Sequence, residues 1–322
     1  MQRRTFFGTT MLGFAGLAAG MASGVSVADS NRNKRPTAHD GITGEDFPFV
    51  QADARTRLFY KDWPALGGSE PTVARTAVFV HGWALNSEMW QYQMQHLSSQ
   101  GVRVIAYDRR GHGRSSDPGS GYDCDRLADD LAAVLEALAL RDVVLVGHSM
   151  GCAEIVRYLT RHGGDRVARV AMVGPSLPFT LKTEDNPEGV EKSALLAARH
   201  AIASDFPRWL TENAPPFFRP ETTPRMVEWG IGLCYQASMR ALIATSVTDS
   251  ETDFRAELQA IRKRVLILHG DSDRSAPLEF TARRTVKLIP GAELRVYEGA
   301  PHGLFITHME RLNRDLLEFI QA

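Results

Sequence analysis

Val143-Val144-Leu145-Val146-Gly147-His148-Ser149-Met150-Gly151 is the stretch that decides the fold. Four apolar, mostly β-branched residues read as a buried parallel strand. They run directly into a Gly-x-Ser-x-Gly match, and Cys152-Ala153-Glu154-Ile155-Val156-Arg157-Tyr158-Leu159 behind it reads as a helix. A sharp strand-to-helix turn of this kind forces the serine into a strained backbone conformation and exposes its hydroxyl at the top of the sheet. Gly147 and Gly151 flank it because strand and helix approach too closely there for a side chain. The motif alone is a weak signal, and the strand before it and the helix behind it make Ser149 a candidate nucleophile.

Outward from this turn, strands and helices alternate. Residues 76–80, 102–107, 167–173, 265–269 and 293–297 read as strands. Residues 86–97, 125–140, 277–288 and 304–320 read as helices, the second from the helical spacing of Leu127, Leu131, Val134, Leu135 and Leu138. Residues 47–51 and 56–62 form two short strands, an antiparallel edge. The alternation predicts an α/β class fold with a mostly parallel central sheet covered by helices on both faces. Ligands bind such sheets outside the carboxyl ends of the strands. Residues 176–250 break the alternation, with Trp209, Phe217, Phe218, Met226, Trp229 and Met239 among helical segments split by prolines. This reads as a helical cap inserted into a core made of 45–175 and 251–322. Trp209, Phe217, Phe218 and Trp229 are its candidate pocket residues, for an apolar acyl or alcohol group.

A serine hydroxyl is a poor nucleophile at neutral pH and needs a base, which in turn needs an orienting acid. On this architecture the chain order is Ser, then Asp or Glu, then His. Of ten histidines, His302 is best placed, after the last strand in Gly299-Ala300-Pro301-His302-Gly303. His148 reads as packing beside the turn, His81 as shaping its own loop, His112 as a structural hydrogen-bonding residue and His308 as a surface or packing residue. For the acid, the strand at 265–269 leads into Asp271-Ser272-Asp273. Asp273 reaches further into the loop and is preferred; Asp271 is suited to bonding the turn backbone, and Glu298 lies too close along the chain to His302. Attack on an ester creates an oxyanion that needs preorganised N–H donors. Met150, after the nucleophile, supplies one, and Trp83 in His81-Gly82-Trp83 supplies the other.

The 322 residues carry a formal net charge of −1, with 43% hydrophobic and 23% charged residues. That balance shows no nucleic-acid footprint over the whole chain. Cys124, Cys152 and Cys234 are too scattered for a disulfide framework or a metal site, so neither metal nor cofactor is expected. Arg3-Arg4-Thr5-Phe6-Phe7 begins a stretch with no charge from Thr5 to Ala28 and five glycines within it. This reads as a secretory signal over 1–28, resembling the twin-arginine type, with export to the periplasm or beyond and no membrane anchor after cleavage. Residues 29–44 read as a flexible lead-in.

Taken together, His-Gly-Trp at 81–83, Asp-Arg-Arg-Gly-His-Gly-Arg-Ser at 108–115, Gly-His-Ser-Met-Gly at 147–151, His-Gly-Asp-Ser-Asp at 269–273 and Ala-Pro-His-Gly at 300–303 resemble the α/β-hydrolase superfamily. Trp83 and the run from Tyr297 to Leu304 are similar to the cofactor-free haloperoxidases, or perhydrolase-like esterases. The resemblance implies Ser149, Asp273 and His302 as the catalytic triad, Trp83 and Met150 as oxyanion donors, and small esters or lactones as substrates, with lactams and amides as an alternative on the same triad. It also implies peracid formation when hydrogen peroxide replaces water, and halide oxidation by that peracid without metal or haem. Two positions depart from the group's pattern. Cys152 stands where a second glycine often follows the turn, and Ala84 stands where proline commonly follows the tryptophan. A dehalogenase or epoxide hydrolase would need a carboxylate at position 149.

Overall fold

The computed structural model describes residues 48–66 and 75–322. The expected signal at 1–28 and lead-in at 29–44 lie outside the described residues. The strands are β1 (Phe49–Asp53), β2 (Thr56–Trp63), β3 (Thr76–Val80), β4 (Arg103–Tyr107), β5 (Val143–His148), β6 (Val167–Val173), β7 (Arg264–Gly270) and β8 (Glu293–Tyr297). They form one sheet in the order β1-β2-β4-β3-β5-β6-β7-β8. β1 and β2 pair antiparallel, as do β2 and β4, and every other pair is parallel. After β4 the chain crosses back to place β5 on the other side of β3. The crevice outside the carboxyl ends of β3 and β5 is therefore a topological switch point, where ligands bind in sheets of this kind.

The helices are α1 (Gln91–Ser99), α2 (Cys124–Ala137), α3 (Met150–His162), α4 (Lys192–Ser204), α5 (Phe206–Asn213), α6 (Pro224–Cys234), α7 (Met239–Glu251), α8 (Arg255–Ala260), α9 (Ala282–Leu288), α10 (Leu304–Thr307) and α11 (Met309–Gln321). Side chains alternate across the sheet, so each central strand feeds two cores. Val78, Val80, Ile105 and Leu145 pack toward α2, α3, α8 and α9. Ala77, Phe79, Val104 and Val146 pack toward α1, α11 and the helices between β6 and β7. Because both faces are covered, β5 is buried at every position and reads as an unbroken apolar run. α2 turns Leu127, Leu131, Val134 and Leu135 inward. Asp123 caps it by accepting from Arg126 N–H at 3.0 Å, a contact contributing about 1 kcal/mol.

Three expected helices differ in detail. The one expected from residue 86 opens with a 3₁₀ turn, Ser87–Trp90, capped by the Asn86 side chain. The one expected over 277–288 is helical only from Ala282 to Leu288. Ahead of it the Thr281 hydroxyl donates to the carbonyls of Ala276 and Pro277 at 3.1 and 2.9 Å, which holds that segment as a turn. The closing helix expected over 304–320 breaks at His308, whose backbone leaves the helical region at φ −127 while its ring bonds the Thr307 hydroxyl at 3.0 Å.

Between β6 and β7 the chain forms α4, α5, α6 and α7 before α8 returns it to the sheet. Ile202, Phe206, Leu210, Leu233 and Leu242 from these helices join the apolar cluster above the strand ends. Phe254 and Leu258, around α8, belong instead to the core on the other face.

Candidate active site

β5 ends at His148, and Ser149 caps α3 with φ 52 and ψ −122. A non-glycine residue held there costs about 1–3 kcal/mol and persists only where its surroundings enforce it. Space does the enforcing. A Cβ on Gly147 would lie 2.8 Å from Ile155 Cδ1, and one on Gly151 would lie 2.6 Å from the Val80 carbonyl. Helix α3 is thereby pressed against β3 and β5, and the hydroxyl is left above the sheet.

His302 Nε2 lies 3.0 Å from Ser149 Oγ, and His302 Nδ1 lies 2.6 Å from Asp273 Oδ2. The carboxylate accepts at Nδ1, so Nδ1 carries the proton and Nε2 is free to take one from the serine. The other oxygen, Asp273 Oδ1, accepts from the N–H groups of Ser275 and Ala276 at 2.9 and 2.8 Å. Burial pushes the Asp273 carboxyl up, but the charge and hydrogen bond of His302 and the Ala276 N–H outweigh it, and the net shift is downward. Asp271 is exposed and accepts from Gly299 N–H at 2.7 Å, a turn contact. The loops carrying Asp273 and His302 are in close contact. Ser272 N–H donates to the Ala300 carbonyl at 3.1 Å, and a Cβ on Gly270 would fall 1.9 Å from that oxygen.

His148 lies beside His302, the two ring centroids 4.7 Å apart. Its Nε2 is 3.1 Å from the His302 carbonyl, which can only accept, so Nε2–H donates. Burial, then the neighbouring His302, pull the His148 pKa down to about 3, so that ring remains neutral.

The loop after β3 is held from beneath. Arg109 N–H donates to His81 Nε2 at 2.9 Å, which leaves the proton on Nδ1, and Nδ1 donates to the Gly82 carbonyl at 2.8 Å. The Arg109 guanidinium adds bonds to the carbonyls of His81 at 2.7 Å and Gly82 at 3.4 Å. In a trans peptide the N–H lies opposite the carbonyl. Anchoring Gly82 C=O on Arg109 and His81 therefore turns Trp83 N–H the other way. Met150 is the first residue of α3, so its N–H has no partner within the helix. Arg109 is itself fully buried and paired with Glu154 at 2.8 Å, and Glu154 also accepts from the Tyr107 hydroxyl. His81 was legible as a loop-shaping residue. The Arg109–Glu154 pair was not, because its partners lie 45 residues apart in the chain.

A cavity of about 540 Å³ opens over Ser149 and His302, within the range of small-molecule sites. Trp83, Trp209, Phe217 and Phe218 line it. The Trp83 indole donates to the Leu242 carbonyl at 3.0 Å and meets Trp209 edge-on at 5.7 Å, tying the loop to the helices above. Trp229, expected in this pocket, does not line it and packs edge-on against Tyr92 at 5.7 Å instead. Ile202, Leu210, Phe280 and Phe305 also line the cavity, as do Ser176 and Asp249. None of these was singled out as a pocket residue from sequence, since an apolar residue on a short helix carries no mark of which cavity it faces.

The Alpha/beta hydrolase family matches residues 77–315. A non-heme haloperoxidase from Rhodococcus erythropolis is 40% identical, over 85% of this chain and 100% of its own. A bifunctional esterase/perhydrolase from Acinetobacter calcoaceticus is 37% identical, over 82% and 96% respectively. Among solved structures, an esterase from Exiguobacterium antarcticum superposes with a TM-score of 0.80 at 30% identity, covering 86% of this chain and 100% of that one. With a parallel sheet, a strained serine turn and these relatives, the chain belongs to the alpha/beta hydrolase family and is an esterase-like, haloperoxidase-like enzyme.

Proposed function

We propose that the protein is a serine hydrolase that cleaves small carboxylic esters or lactones through an acyl-enzyme. The observation that supports this most directly is the continuous relay from Ser149 Oγ through His302 to Asp273, at 3.0 and 2.6 Å. His302 Nε2 takes the hydroxyl proton as Ser149 attacks the carbonyl carbon. Asp273 holds the imidazole in its reactive tautomer and stabilises its charge. Trp83 and Met150 N–H groups receive the developing oxyanion, and His302 then protonates the leaving alcohol. Water, deprotonated by the same nitrogen, releases the acid. Ser149→Ala should lower turnover of p-nitrophenyl acetate by about 10³-fold or more, and a fluorophosphonate probe should label the wild type at Ser149. Unchanged turnover in the variant would refute the assignment.

Peracid formation is the second reading, with peroxide replacing water at the acyl-enzyme. The printed names of the relatives favour it. One local feature sets this chain apart from the group's pattern: Ala84 has φ 62, which a proline ring, fixed near about −65°, cannot reach. The loop is thus shaped differently from one carrying the group's common proline. Bromination of monochlorodimedone with peroxide and acetate, run beside ester hydrolysis, separates the two. Export through the Arg3-Arg4 signal is part of the same proposal, checked by N-terminal sequencing of the exported chain.

A further inference from the structure

Asp249 is a carboxylic acid that the proposed relay does not use. It lies in the last turn of α7 and lines the cavity that holds Ser149 and His302. Its Oδ1 accepts from the Ser176 hydroxyl at 2.7 Å, and Ser176, three residues beyond the end of β6, lines the same cavity. Among the described residues no cation is within ion-pair distance of it. On α4, Arg199 is bonded to Glu251 at 2.6 Å and to the Ser250 hydroxyl, and Arg284, which lines the same cavity, donates to the Asn186 side-chain oxygen at 2.9 Å. Arg109 reaches it only as a distant field and is committed to Glu154. Burial pushes the Asp249 carboxyl up, with the Ser176 bond and the fields of Arg109 and His302 opposing this.

A carboxylate offers about four acceptor sites. Here one is filled. Holding such a group in a largely apolar cavity is costly unless something completes its hydrogen bonds. The Ser176 hydroxyl donates its only hydrogen to Asp249, so toward any further group it can only accept. The pair presents a polar site in a cavity whose wall also carries the apolar Ile202, Leu210, Phe217 and Phe305.

We propose that Asp249 and Ser176 form a subsite for a hydroxyl group on the substrate, so that the enzyme prefers hydroxylated esters over their plain counterparts. A hydroxyl fits whichever way Asp249 is protonated, donating to the carboxylate or accepting from the acid. A substrate carboxylate would meet like charge. A substrate ammonium would have to shed its hydration shell among aromatic rings. The inference rests on the ester-hydrolase reading and specifies which esters that site takes.

The test uses matched substrates with the full-length enzyme: ethyl β-hydroxybutyrate against ethyl butyrate for the acyl side, and monobutyrin against propyl butyrate for the alcohol side. In the wild type, at least one hydroxylated ester should have a kcat/KM higher by about tenfold, the scale of one hydrogen bond to a charged group. In Asp249→Leu that ratio should fall to within about twofold of unity, and in Ser176→Ala it should fall by about threefold. Ser176→Ala, the milder change, carries the test if the leucine variant does not fold. A wild-type ratio near unity in both pairs would overturn the inference. So would an intact ratio in a variant whose melting temperature drops, because Asp249 would then be only a tether between α7 and the loop after β6. Failure of the wild type to cleave any of the four esters would instead count against the hydrolase reading itself.

Discussion

Ser149, Asp273 and His302 each follow the carboxyl end of a strand, and each has a nearby glycine with no room for a side chain: Gly151 against Val80, Gly270 against Ala300, Gly303 against Phe217. Trp209, Phe217 and Phe218, from the segment between β6 and β7, hold their rings by packing alone. In the first region, backbone geometry and hydrogen bonds leave one arrangement. In the second, several apolar side chains would fill the same volume. In the proposed hydrolase the strand-end region would set what reaction is possible, and the helices above would set which molecules undergo it.

The largest effect should come from the rigid side. Asp273→Asn keeps the shape but presents the wrong tautomer to Ser149, so kcat on p-nitrophenyl acetate should fall by about 10³ to 10⁴-fold with little change in KM. An equal loss carried by KM would mean that Asp273 shapes the pocket and does not orient the base.

Arg109→Met should come next. It leaves the buried Glu154 carboxylate with the Tyr107 hydroxyl but no cation and should cost about 3–5 kcal/mol of stability, read as a lowered denaturation midpoint. The double variant Arg109→Met/Glu154→Leu should regain part of that stability while kcat stays depressed, because nothing but His81 then holds the Gly82 carbonyl. Recovery of both would show that the guanidinium serves packing alone.

A third, smaller difference concerns acid. Burial, then the charge of Arg109, lower the His112 pKa to about 3. The folded state thus excludes a proton that the unfolded chain binds below about 6.5. Stability from this group is full above that pH and is lost as pH falls toward 3, by up to about 1.4 kcal/mol per pH unit. His148 behaves alike. His112→Gln should therefore flatten the dependence of melting temperature on pH over this window, whatever its effect at neutrality. An unchanged slope would show that His112 is protonated in the fold.

The smallest effects belong to the helices above the sheet. Trp209→Ala should raise KM for p-nitrophenyl butyrate by about tenfold through lost apolar contact, whereas Trp229→Ala should leave kcat/KM within about twofold. The reverse order would place the substrate on the Tyr92 side of α6.

The same contrast explains what could be read from the chain alone. Residues 143–151 announce strand, turn and helix together, because β-branched residues, paired glycines and a helical run leave few alternatives. Asp273 and His302 could be singled out as candidates because each follows a strand by a few residues. The break at His308 was not, since a helical period continues on both sides of it and one side-chain bond to Thr307 decides the matter. Trp229 and Trp209 look alike in sequence, and only tertiary packing separates the ring that meets Tyr92 from the one over the cavity. Asp249 carries no signal in the sequence, and only its placement against Ser176 in the cavity marks it.

The contact between Gly270 and Ala300 has a mechanical meaning. Because the two loops interlock, Asp273 and His302 are held against one another by backbone contacts as well as by their own hydrogen bond. The serine stands on a different strand. His148, beside Ser149 on that strand, nonetheless bonds the His302 carbonyl at 3.1 Å, so a displacement of either loop would pull against all three residues at once.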